Sequence, residues 1–176
     1  MLPLHSYIIP AILAITTVPE IRPSTTLGRA EIAEMIIAPS SNKRDEGPAA
    51  ELVSYAQTLK GTPYKYASAN PAKGFDCSGF VMYVFNHFKF SVPRTSYEYT
   101  KIGKEVDLKS AQPGDVILFT GTNAQVRRVG HMGIVTQGGD DLQFIHASSG
   151  KAYSVVETSF TPHYQKRFVK IVRLLE

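Results

Sequence analysis

The sequence predicts an α+β fold, with helices early in the chain and an antiparallel sheet of about five strands after them. Three observations carry that prediction. Apolar residues recur at helical spacing in Leu52, Tyr55, Ala56 and Leu59, and again in Phe80, Val81, Val84, Phe85 and Phe88. Past Pro113-Gly114-Asp115 the pattern changes to short β-rich runs separated by Gly- and Asn-bearing turns. The 176 residues, 43% of them hydrophobic, suffice for the core of one ordinary domain. Helices first and strands after is the α+β order.

In chain order, residues 1–47 are read as a degenerate signal segment and a linker, and residues 48–176 as the compact domain. The apolar run from Ile8 to Ile15 resembles the core of a secretion signal. At about a dozen residues it is too short for a membrane-spanning helix, which needs roughly 20, so no stable membrane insertion is expected. No Lys or Arg precedes it and no small-x-small cleavage site follows. Three readings therefore stay open: a degenerate signal, a mis-assigned start, or an ordinary buried segment. Pro19 to Gly47 mixes Pro, Ser, Thr and charges, with a short helix expected from Arg29 to Ile37.

Within the domain a helix is expected from Ala49 to Lys60, stopped by Gly61. A turn-rich loop from Thr62 to Gly74 leads to a second helix, Cys77 to about Phe88, and Pro93-Arg94-Thr95-Ser96 opens a further short one. Strands are expected at Val116–Thr120, Met132–Gln137, Leu142–Ala147, Tyr153–Glu157 and Phe168–Leu175, joined as a meander. The formal charge of +4 suits anionic surroundings such as a bacterial wall or nucleic acid. The basic residues are scattered, without an arginine-rich arm or an aromatic RNA-binding motif, so nucleic acid is not the expected partner.

The chain has one cysteine, Cys77, and so no internal disulfide. Lone cysteines are commonly small buried hydrophobes. The setting of Cys77 argues for chemistry instead. It opens a helix, where unpaired N–H groups and the dipole favour a thiolate and where its own N–H can hold an oxyanion. Gly74 and Gly79 permit a tight entry and close approach of another backbone. His131 opens one expected strand and His146 ends the next. A turn centred on Gly138-Gly139 makes the two histidines face each other, and one centred on Gly139-Asp140 makes them diagonal neighbours on one face. Either register yields a base held by an orienting partner. Gly130 and Gly133 leave room beside His131, which is therefore assigned as base and His146 as orienter. His5, His87 and His163 are read as surface residues. A zinc site of Cys77, His131 and His146 is chemically allowed, but no clustered ligand spacing supports it.

Asp76-Cys77-Ser78-Gly79-Phe80-Val81, Pro93-Arg94-Thr95-Ser96, Pro113-Gly114-Asp115, Gly130-His131-Met132-Gly133-Ile134 and Phe144-Ile145-His146-Ala147-Ser148 follow one another in order. In these motifs the chain resembles the NlpC/P60 cysteine peptidases, over about residues 50–175. The resemblance implies a papain-like fold that cuts murein peptides after γ-D-glutamate and before a diamino acid. It implies Cys77 as nucleophile, His131 as general base and His146 as the third, orienting residue. Tyr64 matches the family tyrosine whose hydroxyl lies near the oxyanion site. Asp76, Ser78 and Ser96 match positions that line the substrate cleft, with Asp76 and Ser78 suited to a free peptide amine. A local role is open for each, Asp76 and Ser96 as helix caps.

The resemblance further implies a peptidoglycan peptide or muropeptide as partner and no metal or organic cofactor. It implies work in the cell envelope, periplasmic or secreted, with cytoplasmic recycling as the alternative; oligomeric state is left open. Two departures stand out. Ala67-Ser68 occupies the place where the family often has Gly-Gly, and no wall-binding module is recognisable before residue 48. Alternatives to the peptidase are an amidase or acyltransferase on the same fold, or an inactive wall-binding module.

Overall fold

Gly47 and Pro48 start the first helix, α1 (Pro48–Thr58), with proline at a first-turn position where its missing N–H costs nothing. The computed structural model describes residues 47–175, so the expected signal segment, linker and helix at 29–37 lie outside the described residues. Leu52, Val53 and Ala56 form the buried side of α1, and Gly61 follows it in a left-handed conformation. A small hairpin of β1 (Ala69–Asn70) and β2 (Gly74–Phe75) leads into α2 (Cys77–His87). Asp76 caps α2 by accepting the Gly79 N–H at 2.6 Å. The stripe of Phe80, Val81, Val84 and Phe85 is fully buried, as its spacing predicts.

The main sheet holds six antiparallel strands, one more than expected: β3 (Lys104–Val106), β4 (Val116–Thr120), β5 (Val129–Gln137), β6 (Gln143–Ala147), β7 (Val155–Ser159) and β8 (Phe168–Arg173). The additional strand, β3, is a three-residue edge strand too short and too charged to show a period. The order β3-β8-β4-β5-β6-β7 departs from the expected meander, because β8 inserts between β3 and β4. The expected helix at residues 93–96 appears slightly later, as a single 3₁₀ turn, Glu98–Lys101.

The crossing back to β8 runs through the short helix α3 (Pro162–Gln165). Phe160 and Tyr164 from that connection pack on Phe119 of β4, and Tyr164 also reaches Phe144 of β6. The sheet therefore has apolar cover on both faces. Val116, Leu118, Met132, Ile134 and Ile145 join α1 and α2 in one core, while Ile117, Phe119, Val135, Phe144 and Ile171 form the second. Among the described residues no helix is long and apolar enough to cross a membrane.

The register of β5 with β6, Ile134 opposite Ile145 and Val135 opposite Phe144, is the one expected from a turn at Gly139-Asp140. His131 and His146 are thus diagonal neighbours on one face. Gly133 makes this arrangement fit. A Cβ there would lie 2.8 Å from the Ile145 carbonyl oxygen and 3.1 Å from the His146 Cβ.

Candidate active site

Cys77 opens α2 at the point where the helix meets β5. Gly79 brings that first turn against the loop before β1, so closely that any side chain there would collide with the Ser68 carbonyl. The Cys77 thiol is half-buried, and the backbone N–H groups of Ser78, Met132 and Cys77 itself favour negative charge on its sulfur. The Met132 amide places β5 beside the sulfur at the residue that follows His131. These donors do not prevail. Burial first, and the Asp76 carboxylate second, push the thiol up to about 11. The expected resting thiolate is thereby corrected to a neutral thiol: desolvation and a neighbouring anion outweigh the helix start.

His131, the neighbour of Met132 on β5, belongs to a histidine pair. His131 Nε2 and His146 Nδ1 are 2.9 Å apart, with the rings nearly perpendicular. His146 Nε2 lies 3.1 Å from the Thr158 hydroxyl on β7 and 3.4 Å from the Tyr164 hydroxyl. The chain can be protonated in either direction; the direction that suits a base has His131 Nε2–H donating to His146 Nδ1 and His146 Nε2–H donating to Thr158 Oγ1. His131 Nδ1 is then left with its lone pair. Burial, then the His146 ring and the Arg167 guanidinium, hold His131 well below the usual histidine range. Burial and Arg167 bring His146 to about 4. Both imidazoles are neutral near pH 7.

Arg167 is itself buried and lies 5.7 Å from the Tyr164 ring. It donates from Nε to the Gly121 carbonyl at 2.9 Å and from Nη2 to the Thr120 carbonyl at 3.0 Å, and its Nη1 lies 3.1 Å from His163 Nε2. Among the described residues no carboxylate pairs with it. Its charge is therefore felt by the histidine pair rather than cancelled.

A cleft of about 440 Å³ opens over Cys77 and brings together Tyr64, Asp76, Ser78 and Ser96. Every predicted site residue except the two histidines lines it, and Gly130, the neighbour of His131, forms part of its wall. Tyr64 is held there by its N–H on the Tyr153 carbonyl and by a bridge to Phe75. Burial and the nearby Cys77 raise its hydroxyl's pKa, so it is a proton donor rather than an anion.

Asp76 does cap its helix, but its carboxylate is also gripped by Arg94, at 3.0 Å from Nη1 to Oδ1 and 2.6 Å from Nη2 to Oδ2. The same Nη1 donates to the Ser78 hydroxyl at 3.0 Å, and that hydroxyl donates to Asp76 at 3.2 Å. Ser96 is not the cap of its turn. The N-cap position is Tyr97, without a side-chain cap bond, and ahead of it the Thr95 N–H and hydroxyl both donate to the Glu98 carboxylate. His87 and His163 are exposed, as expected. Among the described residues no group of three His, Cys, Asp or Glu could hold a metal ion.

Sequence reasoning missed Arg94, Thr158 and Arg167. Arg94 carried a signal, an arginine inside an ordered motif 17 residues after the cysteine. Thr158 and Arg167 carried none, since their partners are reached only through strand pairing.

Residues 61–173 match the NlpC/P60 family. Among known proteins the chain is similar to the bifunctional muramidase/DL-endopeptidase CwlT of Bacillus subtilis, 32% identical over 116 residues, which cover 66% of this chain and 34% of that protein. It is also similar to the murein DD-endopeptidase MepS/murein LD-carboxypeptidase of Escherichia coli, 32% identical over 118 residues, 66% of this chain and 57% of the other. The chain thus spans about a third to somewhat over half the length of these relatives. In structure it resembles an NlpC/P60 family protein from Bacillus cereus, with a TM-score of 0.65 at 28% identity over 74% of this chain and 41% of that one. It likewise resembles the NlpC/P60 domain of the peptidoglycan hydrolase SagA, with a TM-score of 0.60 at 26% identity over 73% of this chain and 100% of that one. On the family match across most of its described residues, the chain belongs to the NlpC/P60 family.

Proposed function

We propose that this protein is a cysteine peptidase that cuts the peptide stems of peptidoglycan, at the bond between γ-D-glutamate and a diamino acid. The observation that carries the reading is the arrangement at the start of α2. A half-buried thiol there meets the β5 backbone beside a neutral histidine, itself held at 2.9 Å by a second histidine. Family membership supports the substrate class: relatives bear the names DL-endopeptidase and gamma-D-glutamyl-L-lysine dipeptidyl-peptidase.

Because thiol and imidazole are both neutral at rest, the nucleophile forms during attack. Cys77 Sγ bonds to the amide carbon as its proton passes to His131 Nδ1, in the manner of general-base catalysis. The oxyanion is held by the Cys77 backbone N–H and the Tyr64 hydroxyl. His131 then gives its proton to the leaving amine of the diamino acid, and water activated by the same imidazole hydrolyses the thioester. His146 keeps His131 in the tautomer with Nδ1 open. Asp76, Ser78 and Ser96 contact the substrate on the cleft side, with the Asp76 carboxylate oriented by Arg94. Work at the cell envelope follows from that substrate.

The test is mass spectrometry of muropeptides after digestion with wild-type and Cys77→Ala protein. The wild type should release fragments ending in D-glutamate, and the variant should be slower by more than about a thousandfold while remaining folded. Equal cleavage by the variant sinks the nucleophile assignment, and fragments with another terminus sink the bond assignment.

A further inference from the structure

The cleft over Cys77 does not end at Gly130. A second cavity of about 560 Å³ adjoins it, and the two share Thr95, Ser96 and Gly130. Of these three, Gly130 has no side chain, and Thr95 and Ser96 have small ones. A peptide lying over Cys77 can therefore send a group past Gly130 into the second space.

The far wall is the loop between β4 and β5, where two adjacent arginines take different tasks. Arg127 donates from Nη2 to the Phe168 carbonyl at 2.6 Å and from Nη1 to the Lys166 carbonyl at 3.4 Å, which fastens the loop to the start of β8. Arg128 lines the cavity instead, with its guanidinium 5.3 Å from the centre of the exposed Tyr97 ring. The Lys101 ammonium sits 5.5 Å from the same ring. Stacking on a ring leaves the guanidinium's edge N–H groups free for a ligand.

Nothing in the cavity neutralises this charge. No Asp or Glu lines it, and among the described residues no carboxylate pairs with Arg128. Glu98, on the same turn as Tyr97, is engaged by the Thr95 N–H and hydroxyl. Val126 and Val129 complete the wall with apolar surface. An unpaired guanidinium above aliphatic and aromatic walls fits a short carbon chain that ends in a carboxylate.

We infer that this cavity is a subsite for a carboxylate on a substrate residue next to the cut bond, with Arg128 as the group that takes it. The inference rests on the peptidase reading above and adds a specificity determinant to it. Two carboxylates adjoin a γ-D-glutamyl bond in a stem peptide. One is the α-carboxylate of D-glutamate itself. The other is the side-chain carboxylate of a dicarboxylic diamino acid such as meso-diaminopimelate, which lysine in the same position lacks.

The experiment uses three tetrapeptides: L-Ala-γ-D-Glu-meso-diaminopimelate-D-Ala, its lysine analogue, and its D-isoglutamine analogue. Wild-type kcat/KM should favour the fully carboxylated peptide over one analogue by about tenfold, the usual discrimination by a charge-assisted hydrogen bond. Arg128→Gln should erase that preference and Arg128→Lys should keep part of it. A preference against the lysine analogue assigns the carboxylate to the amine side of the bond, and one against the isoglutamine analogue to the acyl side. Equal wild-type rates on all three peptides, or a preference that survives Arg128→Gln, overturn the subsite.

Calorimetric binding to Cys77→Ala protein, with and without Arg128→Gln, separates this inference from the parent reading. Binding that prefers the carboxylate through Arg128, without cleavage by the wild type, upholds the subsite and rejects the peptidase. Cleavage without preference does the reverse. Neither binding nor cleavage rejects both.

Discussion

At the scale of single residues, the outer end of the histidine chain is where a small change should be felt. In the proposed mechanism Thr158 Oγ1 is the acceptor that keeps the His146 proton on Nε2, and through it the His131 lone pair on Nδ1. Thr158→Val removes the acceptor without changing the side chain's volume. We expect kcat to fall about fivefold with KM unchanged, the effect of a net hydrogen bond worth about 1 kcal/mol. Thr158→Ser should retain wild-type kcat, and a Val variant with wild-type kcat would show that the tautomer is held by other means. Cys77, His131 and His146 were legible because their side-chain types are scarce in this chain and their local settings are unusual. Thr158 and Arg167 were not, because an ordinary threonine and arginine acquire a role only from partners on other elements.

At the scale of elements, the loop that forms one wall of the cleft carries strain. Ala67 lies on that wall with φ of 55°, in the left-handed region where a Cβ costs roughly 1–2 kcal/mol. Ala67→Gly relieves the clash but adds freedom to the unfolded chain, so the expected net gain is about 0.5 kcal/mol. Denaturant melts of the two proteins measure it; a loss of stability would mean that packing of the Ala67 methyl outweighs the strain. α1 and α2 were readable to within about two residues, since each has a wide apolar stripe and a clear start or stop, whereas the four-residue α3 has no buried stripe and was not read. β3 was not, being too short to show a period. The place of β8 was not either, because its two-sided pairing with β3 and β4 leaves no mark in local pattern.

At the scale of the whole molecule, the buried histidines tie folding to pH. In the unfolded chain His146 titrates near 6.5, whereas in the fold it titrates at about 4 because it is buried beside Arg167. As pH falls below 6.5 the unfolded chain takes up a proton that the fold refuses, so stability is lost between pH 6.5 and about 4. From pH 7 to pH 5 this loss is about 2 kcal/mol from His146, and His131 acts in the same direction. Urea unfolding at the two pH values measures it; a midpoint that does not move would reject the burial of the pair. The α+β class and the antiparallel sheet followed from pattern alone. The apolar cover on both sides of the sheet did not, since Phe160, Tyr164 and Phe168 are too widely spaced to read as one layer.

Arg167 is the structural feature with the widest consequence. Burial, then the His146 ring, and then this fixed positive charge make the proposed base His131 reluctant to accept a proton, which slows the opening attack. By the same free energy they make protonated His131 a strong acid, eager to discharge onto a departing amine. An amine is a poor leaving group until it is protonated, so in the proposed reaction the fold gives up speed in forming the tetrahedral adduct and gains it in breaking that adduct forward rather than back.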